Sequence, residues 1–301
     1  MNAPAARPSR ADLRTGFAWG ILGVAAFAVT LPATRVAVAA LDPVFVGLGR
    51  AVVAAVLAAL VLAVTRTPWP PLALWPRLAM VAAGVVVGFP LLSAWAMQRV
   101  PASHGAVVVG LLPLATAAAG AWLAHERPTR RFWLCAAAGS AVVVGFALWQ
   151  GGGAVHVADL LLVGAVAAAA VGYAEGARLT RVLGGWQVIS WALVLSFPFL
   201  VVPAWLHVGG ATTAPLAAWL GFAYVSLVSM YLGFFAWYRA LAQGGIAAVG
   251  QVQLLQPFLT LLFSALLLGE RLEPAMFIAA GLVIATIATG RRSGREAILP
   301  R

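Results

Sequence analysis

The chain has 301 residues, of which 63% are hydrophobic and only 9% charged, and it carries a net charge of +11. A water-soluble globular chain carries roughly 25% charged residues, so this composition excludes a soluble domain and calls for a surface that faces lipid. A nucleic-acid partner is excluded too, because the basic residues, all Arg and none Lys, sit in short gaps between apolar runs and form no patch beside soluble binding motifs.

A transmembrane helix needs about 20 mostly apolar residues. Ten such runs are predicted in chain order: 16–39, 44–65, 74–97, 102–124, 130–149, 158–180, 186–207, 215–239, 246–268 and 274–290. Short turn-rich or charged gaps divide them, among them "TRTPWPP" at 65, "HERPTRR" at 125 and "GERLEP" at 269. The fold class expected is an all-α membrane protein of ten transmembrane helices. With the N-terminus inside, Arg7, Arg10, Arg14, Arg66, Arg77, Arg127, Arg130, Arg131, Arg178, Arg181, Arg239 and the C-terminal arginines lie on one side, against Arg99 and Arg271 on the other. That bias predicts a multi-pass protein of the bacterial inner membrane with both termini cytoplasmic. The polar start leads into a span too long for a signal peptide, so no cleavable leader is expected. The single Cys135 can form no disulfide within the chain and no metal cluster.

The predicted helices differ in what they carry. The first holds Thr30, Pro32, Thr34 and Arg35, and an arginine inside a span costs about 2.5–3.5 kcal/mol on insertion scales. Arg50, at the start of the second, is expected to snorkel to the interface. The third holds Pro90, Ser93 and Trp95, and the fourth runs from His104 through Pro113 to Glu126. His104 is expected at the interface, not in a proton relay. Tyr173, Glu175 and Arg178 lie on the sixth, and Tyr231 on the eighth. The fifth and tenth show small apolar residues without charge and are expected to pack at the periphery.

Helix nine contains the best candidate site. Gln253, Gln256 and Thr260 share one stripe at i, i+3 and i+7 beside Pro257, whose missing N–H frees a carbonyl and bends the helix. Glutamine amides both donate and accept without charge, which suits the carboxylate and ammonium of a zwitterion. Interhelical hydrogen bonding is the alternative use of such a stripe. Tyr173, Trp95, Tyr231, Ser93, Thr30 and Thr34 are expected to join the cavity wall. Glu175 either receives a substrate ammonium or a coupling proton, or pairs with Arg178 one turn away. Pro32, Pro90, Pro113 and Pro257 are predicted kinks. Two ion pairs between the halves are expected, Arg35 with Glu270 and Arg178 with Glu126, with snorkelling of each arginine as the alternative. Carboxylate dyads, Cys/His clusters and Ser–His arrangements at compatible depths are missing, so no enzyme activity, cofactor or metal is expected.

An internal repeat underlies this layout. Setting Pro113 on Pro257 brings Thr116 onto Thr260, Glu126 onto Glu270 and Arg127 onto Arg271, while "PATR" (32–35) answers "EGAR" (175–178). Five spans per copy is an odd number, so the copies must face opposite ways, as in many secondary transporters. The predicted organisation is a tail at 1–15, one repeat at 16–149, an inverted repeat at 158–290 and a tail at 291–301.

The run "FAVTLPATR", the "LGR" that ends at Arg50 and the paired corners "HERP" and "GERL" resemble the drug/metabolite transporter superfamily, specifically its EamA-type ten-helix exporters. His125, where that family more often has Gly, and Glu175, where it usually has an uncharged residue, depart from the pattern. The resemblance implies two inverted five-helix repeats around a central cavity, alternating access, and export of amino acids or related metabolites, with lipid as the other partner and a monomeric state. A cavity of Gln, Thr, Tyr and Trp without a mid-depth arginine would discriminate side chains mainly by apolar contact, which predicts broad specificity including neutral and aromatic amino acids. Export of drugs or other small metabolites by the same fold is the alternative.

Overall fold

The computed structural model describes residues 10–123, 130–150, 156–209, 213–244 and 250–296. Among them every regular element is helical. Seven helices are long and apolar enough to cross a membrane: α1 (Thr15–Val38), α2 (Phe45–Val64), α3 (Leu72–Met97), α4 (Ala102–Leu123), α6 (Val157–Leu183), α7 (Gly185–Leu206) and α8 (Leu216–Ala240). Three are shorter in their apolar stretch: α5 (Arg130–Gln150, apolar over Trp133–Phe146), α9 (Val252–Leu268) and α10 (Pro274–Glu296, apolar over Pro274–Thr286). Large apolar side chains such as Leu60, Phe199, Leu220 and Leu266 stand exposed on the outside of the bundle. An apolar exterior of this extent suits acyl chains, not water.

Helix pairing follows a regular scheme. Helix α1 packs on α8 and α3 on α6; α2 packs on α7, α4 on α9 and α5 on α10. Renaming each helix by its counterpart five places along leaves this scheme unchanged. As expected, α5 and α10 lie at the edge, packed chiefly on each other. Two seams are close enough to exclude a side chain. A Cβ on Gly84 of α3 would lie 2.5 Å from the Ala168 carbonyl oxygen of α6, and one on Gly221 of α8 would lie 2.6 Å from the Ala33 carbonyl oxygen of α1.

The long helices are not uniform rods. Helix α1 breaks at Val29, three residues before Pro32, and α4 breaks at Gly110–Leu111, just before Pro113. In α9 a 3-10 turn over Gly250–Leu255 gives way to α-helix at Gln256, just before Pro257. Pro90 follows a π-helical stretch, Ala82–Gly88, in α3. Each predicted kink proline therefore sits within a turn of a discontinuity, because its ring and missing N–H cannot continue the ladder behind it. Two more π-helical stretches are Phe45–Gly49 in α2, two residues after Pro43, and Tyr224–Leu232 in α8, which has no proline nearby.

Candidate functional site

These irregularities converge on one place. A small enclosed cavity of about 20 Å³ lies between helices of the first five and of the last five. Leu31, Phe89, Leu112 and Gln256 line it, and each is the residue immediately preceding one of the four kink prolines. The π-helical stretches border it as well: Val85 and Ser229 lie within two of them, and Arg50 directly follows the third. Interrupted helices are how a membrane bundle brings polar groups to mid-depth without exposing backbone to lipid.

One wall of the cavity is polar. Thr30 Oγ1 of α1 lies 2.8 Å from Ser229 Oγ of α8, and Nη2 of Arg50 donates to the same Ser229 oxygen at 3.1 Å. Gln256 completes that wall. The lining also carries an aromatic cluster: Phe27 stacks on Tyr173 with centroids 6.2 Å apart, and Phe234 meets Phe27 edge-on at 5.1 Å and Tyr173 at 5.9 Å. Trp237 backs this cluster, 6.3 Å from Phe27. At about 20 Å³ the cavity holds roughly one water, so any larger solute requires the helices to part.

The two ends of the bundle are closed differently. At one end, named here for Arg77, the Glu175 carboxylate is shared. Arg77 Nε of α3 donates to Oε1 and Arg178 Nη1 of α6 donates to Oε2 at 2.8 Å. Glu175 is 2% exposed, while the side chains of Arg77 and Arg178 are 32% and 41% exposed. Nearby, the guanidinium of Arg239 lies 4.7 Å over the Trp19 ring and ties α8 to α1. At the other end, named for Arg99, an open pocket of about 470 Å³ is lined by Arg35, Val38, Ala39, Gln98 and Arg99. There His104 Nε2 lies 2.6 Å from Asp159 Oδ1, buried between α4 and α6, and Asp159 Oδ2 accepts from the His156 amide at the start of α6.

Several expected placements change. Arg35 and Glu270 do not pair with each other. Arg35 Nη1 donates to the carbonyl of Met97, the last residue of α3, whereas both Glu270 oxygens accept the amides of Ala102 and Ser103 at 2.8 Å, the first residues of α4. Each charge is held by the helix terminus of opposite partial charge, where unpaired carbonyls or amides already point outward. Glu126 lies outside the described residues, and Arg178 is on Glu175 instead. Glu175 does not line the cavity. Neither does Tyr231, whose hydroxyl is 2.9 Å from Ser190 Oγ of α7. Ser93 Oγ turns back to the Pro90 carbonyl, and Trp95 is half-buried, its carbonyl accepting from Arg99. Thr34, Gln253 and Thr260 are buried among helices, and Thr34 Oγ1 and Gln253 Nε2 find no hydrogen-bond partner. Of the expected cavity residues, Thr30, Tyr173 and Gln256 line it. Arg50 lies in its wall, 2% exposed, not at a lipid interface. Arg77, Asp159 and Ser229 escaped the sequence reading. Asp159 at the third position of α6 is a capping signature that could have been read, but nothing along the chain marks Arg77 apart from the other arginines.

The model of the EamA-like transporter family matches twice, over residues 14–148 and 156–289. An uncharacterized transporter of Bacillus subtilis, YdeK, is 48% identical over 278 residues, covering 92% of this chain and 97% of its own. A probable terminal-alkyne amino-acid exporter of Streptantibioticus cattleyicolor is 27% identical over 292 residues, covering 93% and 96%. A crystal structure that shares 17% of its sequence superposes with a TM-score of 0.65, covering 95% of this chain and 99% of the other, and so shares the fold. An all-helical bundle with an apolar exterior, a polar cavity between its two matched segments and this relationship to known transporters lead to one statement: the chain belongs to the EamA-like transporter family.

Proposed function

We propose that the protein is a secondary transporter that exports amino acids of broad range, neutral and aromatic ones included, across the bacterial inner membrane by alternating access. The observation that carries this reading is the cavity between the two matched segments, lined by both polar and aromatic side chains, at the four proline breaks. At its present size the cavity admits no amino acid, so a solute would enter only as the halves rock and the helices part. The name of the Streptantibioticus relative supports an amino acid as the solute.

In this reading the ten helices form two inverted five-helix repeats at 16–149 and 158–290. Three observations support it: the pairing scheme unchanged by exchange of the halves, the π-helical stretches in α3 and α8, and the breaks ahead of Pro113 and Pro257. The Arg77 end, with Arg66, Arg178, Arg181 and Arg239, is then the cytoplasmic one, and the transporter acts as a monomer. The test is counterflow of labelled phenylalanine into liposomes holding the purified protein. The reading expects saturable uptake that many neutral amino acids compete away. Uptake that only one compound of another class competes away would replace it with an exporter of drugs or other metabolites.

A further inference from the structure

Arg50 is a buried cation with two donors open. Its side chain is 2% exposed, Nη2 is held by Ser229, and Nε and Nη1 have no partner. An arginine stays protonated in a protein, so its charge has to be met by an anion or remain uncompensated in a low-dielectric interior. Among the described residues, four acids are engaged elsewhere. Asp42 accepts from the amides of Val44 and Phe45, Asp159 holds His104, Glu175 holds two arginines, and Glu270 caps α4. Among the described residues no acidic side chain lines the cavity.

We infer that Arg50 is the anion-binding group of the central cavity, and that the carboxylate of the substrate, not its ammonium, carries the charge recognition. The surroundings select the class of anion. There is one cation in the wall, with hydroxyls from Thr30 and Ser229 and the Gln256 amide beside it. That set matches a single carboxylate; a phosphate dianion would call for a second cation or a helix N-terminus. The same lining holds Phe27, Tyr173 and Phe234, aromatic side chains suited to an apolar or aromatic body. An ammonium would meet neutral oxygens and ring faces here, but also the repulsion of the Arg50 guanidinium. The solute class is therefore an amphipathic monocarboxylate, amino acids among them.

This inference rests on the cavity being the transport site, though not on amino acids being the transported solutes. Its test is binding to the purified wild-type protein in detergent, read as a shift in thermal midpoint with phenylalanine, 3-phenylpropanoate, 3-phenylpropanamide and phenethylamine. Phenylalanine and 3-phenylpropanoate should stabilise the protein; the neutral amide and the amine should bind at least about ten-fold more weakly, the loss expected for one charged hydrogen bond. Arg50→Lys should retain weakened binding and Arg50→Gln should lose the preference for the carboxylate. Should Arg50→Gln not fold, the four wild-type ligands still decide. Equal or tighter binding of phenethylamine than of 3-phenylpropanoate overturns the assignment. The amino-acid reading fails separately: 3-phenylpropanoate binds through Arg50, yet liposomes show no phenylalanine counterflow.

Discussion

The two ends of the bundle handle charge in opposite ways. At the Arg77 end, one buried carboxylate, Glu175, is clasped by arginines from α3 and α6, side chain to side chain. At the Arg99 end, Arg35 and Glu270 are met by helix termini, and a pocket of about 470 Å³ stands open between Arg35 and Arg99. A side-chain clasp between two helices is a latch: it holds fully or not at all, and it comes apart when the helices separate. A charge set on the terminus of another helix is a brace, answered by backbone carbonyls or amides and not by a second side chain. One end of the bundle is thus tied across helices by side chains, and the other holds an open pocket.

Breaking the latch should have the largest effect. Glu175→Gln leaves both arginines without their anion, and the cost should fall below the about 3–5 kcal/mol of a fully buried pair, because both arginines keep solvent contact. In a Cys135→Ala background, a cysteine at the buried Ala177 should become several-fold more reactive to a polar maleimide after this change. Unchanged labelling would mean that the triad is no gate.

Steric wedges at the two close seams come next. Gly84→Ala on the α3–α6 seam and Gly221→Ala on the α8–α1 seam each set a methyl against a carbonyl oxygen, costing about 1–3 kcal/mol of thermal stability. Similar losses at both, measured by thermal unfolding in detergent, are expected from the matched packing; a loss at only one would mark the other seam as able to slide.

The brace should respond more weakly. Glu270→Gln keeps an acceptor for α4 but gives up its charge, and Glu270→Ala removes the cap, at about 0.5–2 kcal/mol. Smallest of all is the coupling between Arg35 and Glu270. A double-mutant cycle of Arg35→Gln with Glu270→Gln should be additive to within about 0.3–0.5 kcal/mol, because each side chain has a different partner. A larger coupling would restore the direct pair that sequence symmetry suggests.

Much of the architecture was legible along the chain. Apolar run length alone located the helices to within a few residues for most of them, because lipid leaves the backbone no alternative to internal hydrogen bonding. The four prolines marked the breaks for an equally local reason, the loss of a donor within one turn. Thr30, Tyr173 and Gln256 were found as wall residues because isolated polar groups in a long apolar run have few other uses. Tertiary structure alone decided which charges meet. Arg35 and Arg50 look alike in sequence, each a single arginine in an apolar run. One reaches a helix terminus at the open end and the other is buried against Ser229 at the cavity. Which acceptor a guanidinium finds depends on what another helix, 62 residues away for Arg35 and 179 for Arg50, brings within hydrogen-bond reach, and helical periodicity carries no information about that distance.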